Sequence, residues 1–102
     1  MMGIGALKEV ELGYYDMTNK IYIRRKFEEE HELVSCSGNF ALKEGEVILH
    51  CHAVLSDKNF NVIGGHLFTG KVAITGEFYI WPGEMQVNRG PDAATGLNLI
   101  KL

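Results

Sequence analysis

The sequence predicts a mainly β protein, an antiparallel sheet forming one domain over residues 1–102. Three observations predict it. Apolar and polar residues alternate through several stretches of strand length, as half-buried strands require. Polar clusters carrying Gly, Asn, Asp or Pro punctuate those stretches. No segment keeps a helical period over successive turns, and no repeat or low-complexity tract occurs.

The elements follow in order. From Ile4 to Tyr15 the apolar residues Ile4, Ala6, Val10, Leu12 and Tyr14 fall on even positions, a strand with one irregularity near Lys8. Asp16 to Asn19 reads as a turn, and Lys20 to Phe27 alternates again, which predicts a hairpin with the first strand. Glu32 to Leu42 is a strand in which Gly38 and Asn39 mark a bulge or a turn. After a polar turn at Lys43 to Glu46, the segment from Val47 to Ser56 carries Leu49, Cys51, Ala53 and Leu55 on its apolar face and His50 and His52 on the other. Asp57 to Asn61 is a turn by composition. Val62 to Phe68 and Lys71 to Trp81 read as strands interrupted at Thr69 and Gly70, and Pro82 with Gly83 ends the run. The tail has loop chemistry around Arg89, Gly90 and Pro91, then a short apolar close at Leu97, Leu99, Ile100 and Leu102.

Size and charge bound the function. With 46% apolar residues the chain can pack one core, but so small a domain has a high surface-to-volume ratio, and self-association is an effective way to cover more of it. Ten basic and thirteen acidic residues are well mixed and give a formal charge of −3, which leaves no electrostatic footprint for nucleic acid. No apolar run approaches the roughly 20 residues of a membrane span, and the N-terminus has no signal-peptide pattern. Cys36 and Cys51 lie in apolar strand-like segments without CxxC spacing, so they read as buried thiols, and a soluble, cytoplasmic protein is expected.

The order of the segments resembles the prokaryotic branch of the PPC (plants and prokaryotes conserved) domain family. The residues that carry the resemblance are Gly3 to Leu7, Leu12 to Asp16, Glu32 and Leu33, Ser37 to Asn39, His50 to Asp57 and Gly64 to Leu67, with Arg89, Asp92, Thr95, Gly96 and Leu97 in the tail. The His-x-His and Gly-Gly-His pieces together are the specific part. The family's fold is of the α+β class, an antiparallel sheet with a helix against it, and a strand and helix usually precede the Gly-Ile-Gly segment; here Met1 and Met2 stand immediately before it, so that helix is expected to be missing. The resemblance implies a homotrimeric binding and assembly domain with a DNA-associated regulatory role. Its DNA binding is known mainly from plant members that add a basic AT-hook, and no Arg-Gly-Arg-Pro core occurs in this chain.

Other motifs lead nowhere. Gly65 to Lys71 spells the first part of a phosphate-binding P-loop, but Val72 stands where Ser or Thr must hold Mg²⁺, and the following run is β-like rather than helical. Gly3, Ile4 and Gly5 have no third glycine opening a helix. Arg24, Arg25 and Lys26 beside Glu28, Glu29 and Glu30 read as a solvated surface, with His31 exposed among them. Tyr14, Tyr15 and Tyr22 read as cross-strand packing. Nothing places a histidine and a carboxylate around Ser35, Cys36 or Ser37, so no catalytic residue is assigned and an enzyme is the less favoured reading.

The remaining candidate is a metal site at His50, His52 and His66. A five-residue turn centred on Asn59 places His52 opposite His66 and His50 opposite Phe68. His50 and His52 share a face because strand side chains alternate, and His66 then falls on that face with its Cβ about 4.5–5.5 Å from that of His52. Three imidazoles suit Zn²⁺ with an open fourth position, or with one filled from a neighbouring subunit. Gly64 and Gly65 allow either a close backbone approach or a bulge beside the site. The rival readings are a metal-dependent enzyme or a small-ligand protein built on these histidines, and histidines hydrogen-bonded at a subunit contact.

Overall fold

The computed structural model describes residues 1–102 and resolves the alternating pattern into seven strands. These are β1 (Met2–Asp16), β2 (Ile21–Phe27), β3 (His31–Lys43), β4 (Glu46–Ser56), β5 (Val62–Tyr79), β6 (Asn88–Pro91) and β7 (Asn98–Lys101). No helix forms, as expected for a mainly β chain. The strands make one sheet in the order β2-β1-β5-β4-β3-β6-β7. It is antiparallel except where Leu42 of β3 pairs in parallel with Asn88 of β6, so the sheet is mixed.

β1 and β2 form the expected hairpin, with Val10 opposite Phe27 and Tyr15 opposite Tyr22. The irregularity near Lys8 is a bulge: Glu9 has a φ of 50°, and Lys8 pairs with Lys71 while Glu11 pairs with Thr69. Two residues of β1 thus oppose Gly70 alone on β5. That bulge corrects the reading of Thr69 and Gly70 as an interruption. β5 runs unbroken, because its partner absorbs the mismatch and the backbone ladder continues. Gly38 and Asn39 likewise mark neither a turn nor a bulge; the register shift in β3 lies between Leu33 and Ser35.

β1 pairs with β5 on one side from Met2 to Gly13, and on the other with β2 from Val10 onward and with β3 from Met2 to Leu7. Since β5 pairs with β4 and β4 with β3, the β1–β3 pairing closes β1, β5, β4 and β3 into a ring. Their buried residues form the core: Leu7, Val10, Leu12, Leu33, Cys36, Cys51, Ala53 and Leu55. Cys51, Ala53 and Leu55 are the apolar face foreseen for β4, although Leu49 at the end of that row is exposed. Burying the odd row turns His50 and His52 outward.

His31 is not exposed. It retains 7% of its surface, packs edge-on to Phe27 with ring centroids 6.0 Å apart, and Nδ1 lies 2.9 Å from the Glu29 carbonyl oxygen. A charged neighbourhood in sequence hid the apolar body of the ring, which β3 turns inward.

The hairpin between β4 and β5 has the expected turn, Asp57 to Asn61, with Ser56 opposite Val62. Asp57 organises it. Its carboxylate accepts from the backbone N–H of Asn59 and Asn61 at 2.8 and 2.9 Å, and Phe60 takes a left-handed φ of 63°. The tail, expected as loop, pairs as the β6–β7 hairpin and is tied to β2's end of the molecule by the Tyr15 hydroxyl, which donates to the Thr95 carbonyl.

Candidate metal centre

Register gathers the histidines. The turn after Ser56 pairs Leu55 with Ile63 and His52 with His66 without a shift, so His66 emerges on the same face as His50 and His52. Gly64 and Gly65 contribute close approach rather than a bulge: a Cβ on Gly65 would lie 2.8 Å from the Gly13 carbonyl oxygen of β1. His50 does not face Phe68. Pairing of β4 with β5 stops at His52, while β5 continues on its other edge with β1, where Leu67 pairs with Leu12; His50 is paired only with Asn39 of β3. The rings converge nonetheless, His50 to His66 at 5.1 Å and His52 to His66 at 5.6 Å between centroids.

One nitrogen from each ring lies within 4.8 Å of the other two. The His50 and His52 Nε2 atoms are 3.2 Å apart. Two nitrogens held tetrahedrally at 2.0–2.1 Å from one zinc would be about 3.3 Å apart, so that edge already has a ligand spacing, and small ring rotations would close the others. His66 Nδ1 is buried without a hydrogen-bond partner, an orphan that an electron-pair acceptor would satisfy. The donor set therefore fits a borderline divalent metal.

Electrostatics keep the lone pairs available. Burial, first, and then the charges of Arg89 and His52 hold His50 below the ordinary 6.5; burial, then His50, His52 and Arg24 do the same for His66. The unfolded chain takes up these protons near pH 6.5 and the folded chain only below it. Within that window the unfolded state binds more protons, so stability falls as pH falls. The Tm of the metal-free protein is expected to drop between about pH 7 and about pH 5, and to drop less in His66→Gln; an equal drop in both would contradict this assignment.

Residues that sequence reasoning missed surround the triad. Arg89 Nη2 lies 3.2 Å from His50 Nδ1 and donates to Asn39 Oδ1 at 2.8 Å, while Nη1 donates to the Asn98 carbonyl. Tyr22 stands 5.0 Å from the His66 ring, and Phe68 4.6 Å from it, with the Arg24 guanidinium 3.8 Å above Phe68. Tyr22 also packs against Tyr15 across the hairpin, as read, but its second contact makes it part of the site. The rejected motifs stay rejected. Gly65 to Lys71 lies inside β5 with no helix behind it, and the basic cluster makes exposed ion pairs, Arg24 with Glu11 and Lys26 with Glu28. Both cysteines are free and buried; burial and the neighbouring Cys36 push the Cys51 thiol up to about 11, far from a thiolate ligand.

Comparison with known proteins gives this arrangement a context. A PPC protein from Pyrococcus horikoshii is 34% identical and superposes with a TM-score of 0.85, over 99% of this chain and 70% of that one. A metal-containing protein from Archaeoglobus fulgidus is 32% identical with a TM-score of 0.89, over 99% and 71% of the two chains. A protein from Bacteroides thetaiotaomicron, whose name proposes DNA binding, is 27% identical with a TM-score of 0.93, over 98% and 70%. No curated protein matches. The family model of this domain matches residues 1–83, which include all three histidines and the whole closed ring of strands; the chain belongs to the Plants and Prokaryotes Conserved (PCC, also written PPC) domain family.

Proposed function

We propose that this PCC domain is a self-assembling binding module that holds Zn²⁺ on His50, His52 and His66. The convergence of three imidazoles from two strands carries the reading. Its likeness to a metal-containing protein supports it. When bound, such a metal supplies Lewis acidity at an open fourth position. A hydrolytic enzyme would also need a general base, and the polar groups beside the triad are Arg89, Asn39 and Tyr22, with no carboxylate among them. Binding is therefore the better reading. Elemental analysis of the purified chain, with a zinc titration repeated on His52→Ala and His66→Ala, tests it. No metal uptake by the parent, or equal uptake by both variants and the parent, would refute it.

Assembly is the second half of the proposal. Only 13 of 102 residues are buried, while Val47, Ile74 and Trp81 are exposed at 67%, 75% and 64%, so one copy leaves much apolar surface in water. A homotrimer is the expected species at micromolar concentration. Light scattering should return three times the 11.4 kDa chain mass, and a monomer mass would sink this part.

DNA association comes from the name of a similar protein and is expected to be weak in this chain. At a net charge of −3 it would release few counterions, so duplex DNA should bind no more tightly than about 10⁻⁴ M at physiological salt. Tight, salt-sensitive binding in a mobility-shift titration would contradict this.

A further inference from the structure

The Arg89 guanidinium is a cation without a counter-charge. Its acceptors are an amide oxygen of Asn39, the carbonyl of Asn98 and the His50 ring, all neutral, and its Nε–H is buried without any partner. The ion pairs of the molecule lie elsewhere, at Glu11, Glu28 and Glu9. A buried donor left unpaired is costly, more so when charged, so an arrangement of this kind is stabilised by whatever anion completes it. Beside the guanidinium is a cavity of about 270 Å³, walled by Ile48, Leu49, Leu97, Leu99 and Tyr22 and reaching His50 and His66.

The contact between Arg89 and His50 has a further consequence. A guanidinium only donates, so His50 Nδ1 must present its lone pair to Nη2, and the ring proton of neutral His50 then sits on Nε2, facing His52 Nε2 at 3.2 Å. With His50 Nε2 as a metal ligand, the ring proton would have to sit on Nδ1, where it would confront an N–H of Arg89. The two donors would repel, and the N–H of Arg89 that faces His50 would be left for an acceptor in the cavity, while Nη1 and Nη2 keep Asn98 and Asn39. The metal's two charges and the guanidinium's one would then stand together with no acid nearby.

We propose that this cavity binds a small monocarboxylate with a short aliphatic body, its carboxylate accepting from Arg89 and completing the metal's coordination, its alkyl part against Ile48, Leu97 and Leu99. The metal-dependent part rests on the zinc reading above. Bidentate recognition of a planar carboxylate is what guanidinium geometry favours, and the apolar walls favour an alkyl body over inorganic phosphate.

The test uses butyrate, with butyramide as its neutral isostere and inorganic phosphate as a second anion, on the full chain. Binding of two ligands to one site couples reciprocally, commonly by about 5- to 150-fold. Butyrate is expected to tighten Zn²⁺ binding at least about 5-fold, and butyramide not to. Arg89→Met should take Zn²⁺ at least as tightly as the parent, since nothing then holds the ring proton on His50 Nε2, yet show no butyrate effect; Arg89→Lys should retain part of it. No coupling in the parent, an equal effect in Arg89→Met, or a larger effect with phosphate would overturn the proposal. If the parent takes no zinc, the metal reading fails by itself, and methyl NMR of the metal-free chain decides the cavity: shifts at Leu97 and Leu99 with butyrate but not butyramide support it, and absent or equal shifts overturn it.

Discussion

Replacing His66 with alanine is expected to weaken Zn²⁺ binding by more than about 100-fold, since losing even a hydrogen-bond partner of a metal ligand typically costs 10- to 100-fold. His66 is the decisive member of the triad. His50 and His52 sit on one strand, two residues apart, and offer two points of attachment; only His66, delivered by β5, turns the pair into a three-point site. The variant should fold, because His66 Nδ1 has no partner to lose and the ring is half-buried against Tyr22 and Phe68 rather than in the core. A Zn²⁺ titration by calorimetry, with circular dichroism to confirm the strands, reads both. His66→Ala binding zinc within about 3-fold of the parent would move the metal elsewhere or remove it, because a first ligand must matter more than its supports.

The triad was legible because a hairpin is a local object. Asp57, Asn59 and Asn61 announce the turn, the turn sets the register, and the register decides which side chains face each other. The same reasoning failed one pair further on. Extending the hairpin to His50 and Phe68 assumed that β5 keeps following β4, whereas the β4–β5 ladder ends at His52 and His66 and β5 goes on paired with β1. Arg89 was out of reach for a related reason. It sits 39 positions from His50, and what brings it there is the single parallel pair between Leu42 and Asn88 with the Tyr15 hydroxyl gripping Thr95, neither of which leaves a periodic trace.

The strands themselves were written in alternation, and all of those expected from the first through to the fifth are present, with the fourth and its apolar odd row nearly to the residue. Alternation reports faces, not neighbours. It could not show that β1 pairs with three other strands, which closes the ring, nor that Thr69 and Gly70 would be matched by a bulge at Glu9 and so leave β5 whole. His31 shows the opposite limit: composition placed it among charges, while the pleat of β3 put its ring beside Phe27.

Gly38→Ala is expected to destabilise the protein by about 3 kcal/mol and to lower Tm by more than about 10 °C, the larger end of what forced overpacking costs. Gly38 pairs with Cys51, and a Cβ added there would stand 2.0 Å from the His50 carbonyl oxygen and 2.8 Å from the Cys51 Cα. Both are backbone atoms, so no side chain can swing aside; β3 or β4 has to move. That movement falls on the residue that carries one candidate ligand and beside a buried core thiol, so zinc affinity should fall with stability although no ligand has been touched. Gly83→Ala is the control, because a Cβ there meets only the Met85 backbone nitrogen at 4.0 Å, and its Tm should stay within a few degrees of the parent. A Gly38→Ala protein that melted with the control and bound zinc like the parent would mean that β3 and β4 do not approach as closely as this pairing requires, and the placement of His50 would have to be drawn again.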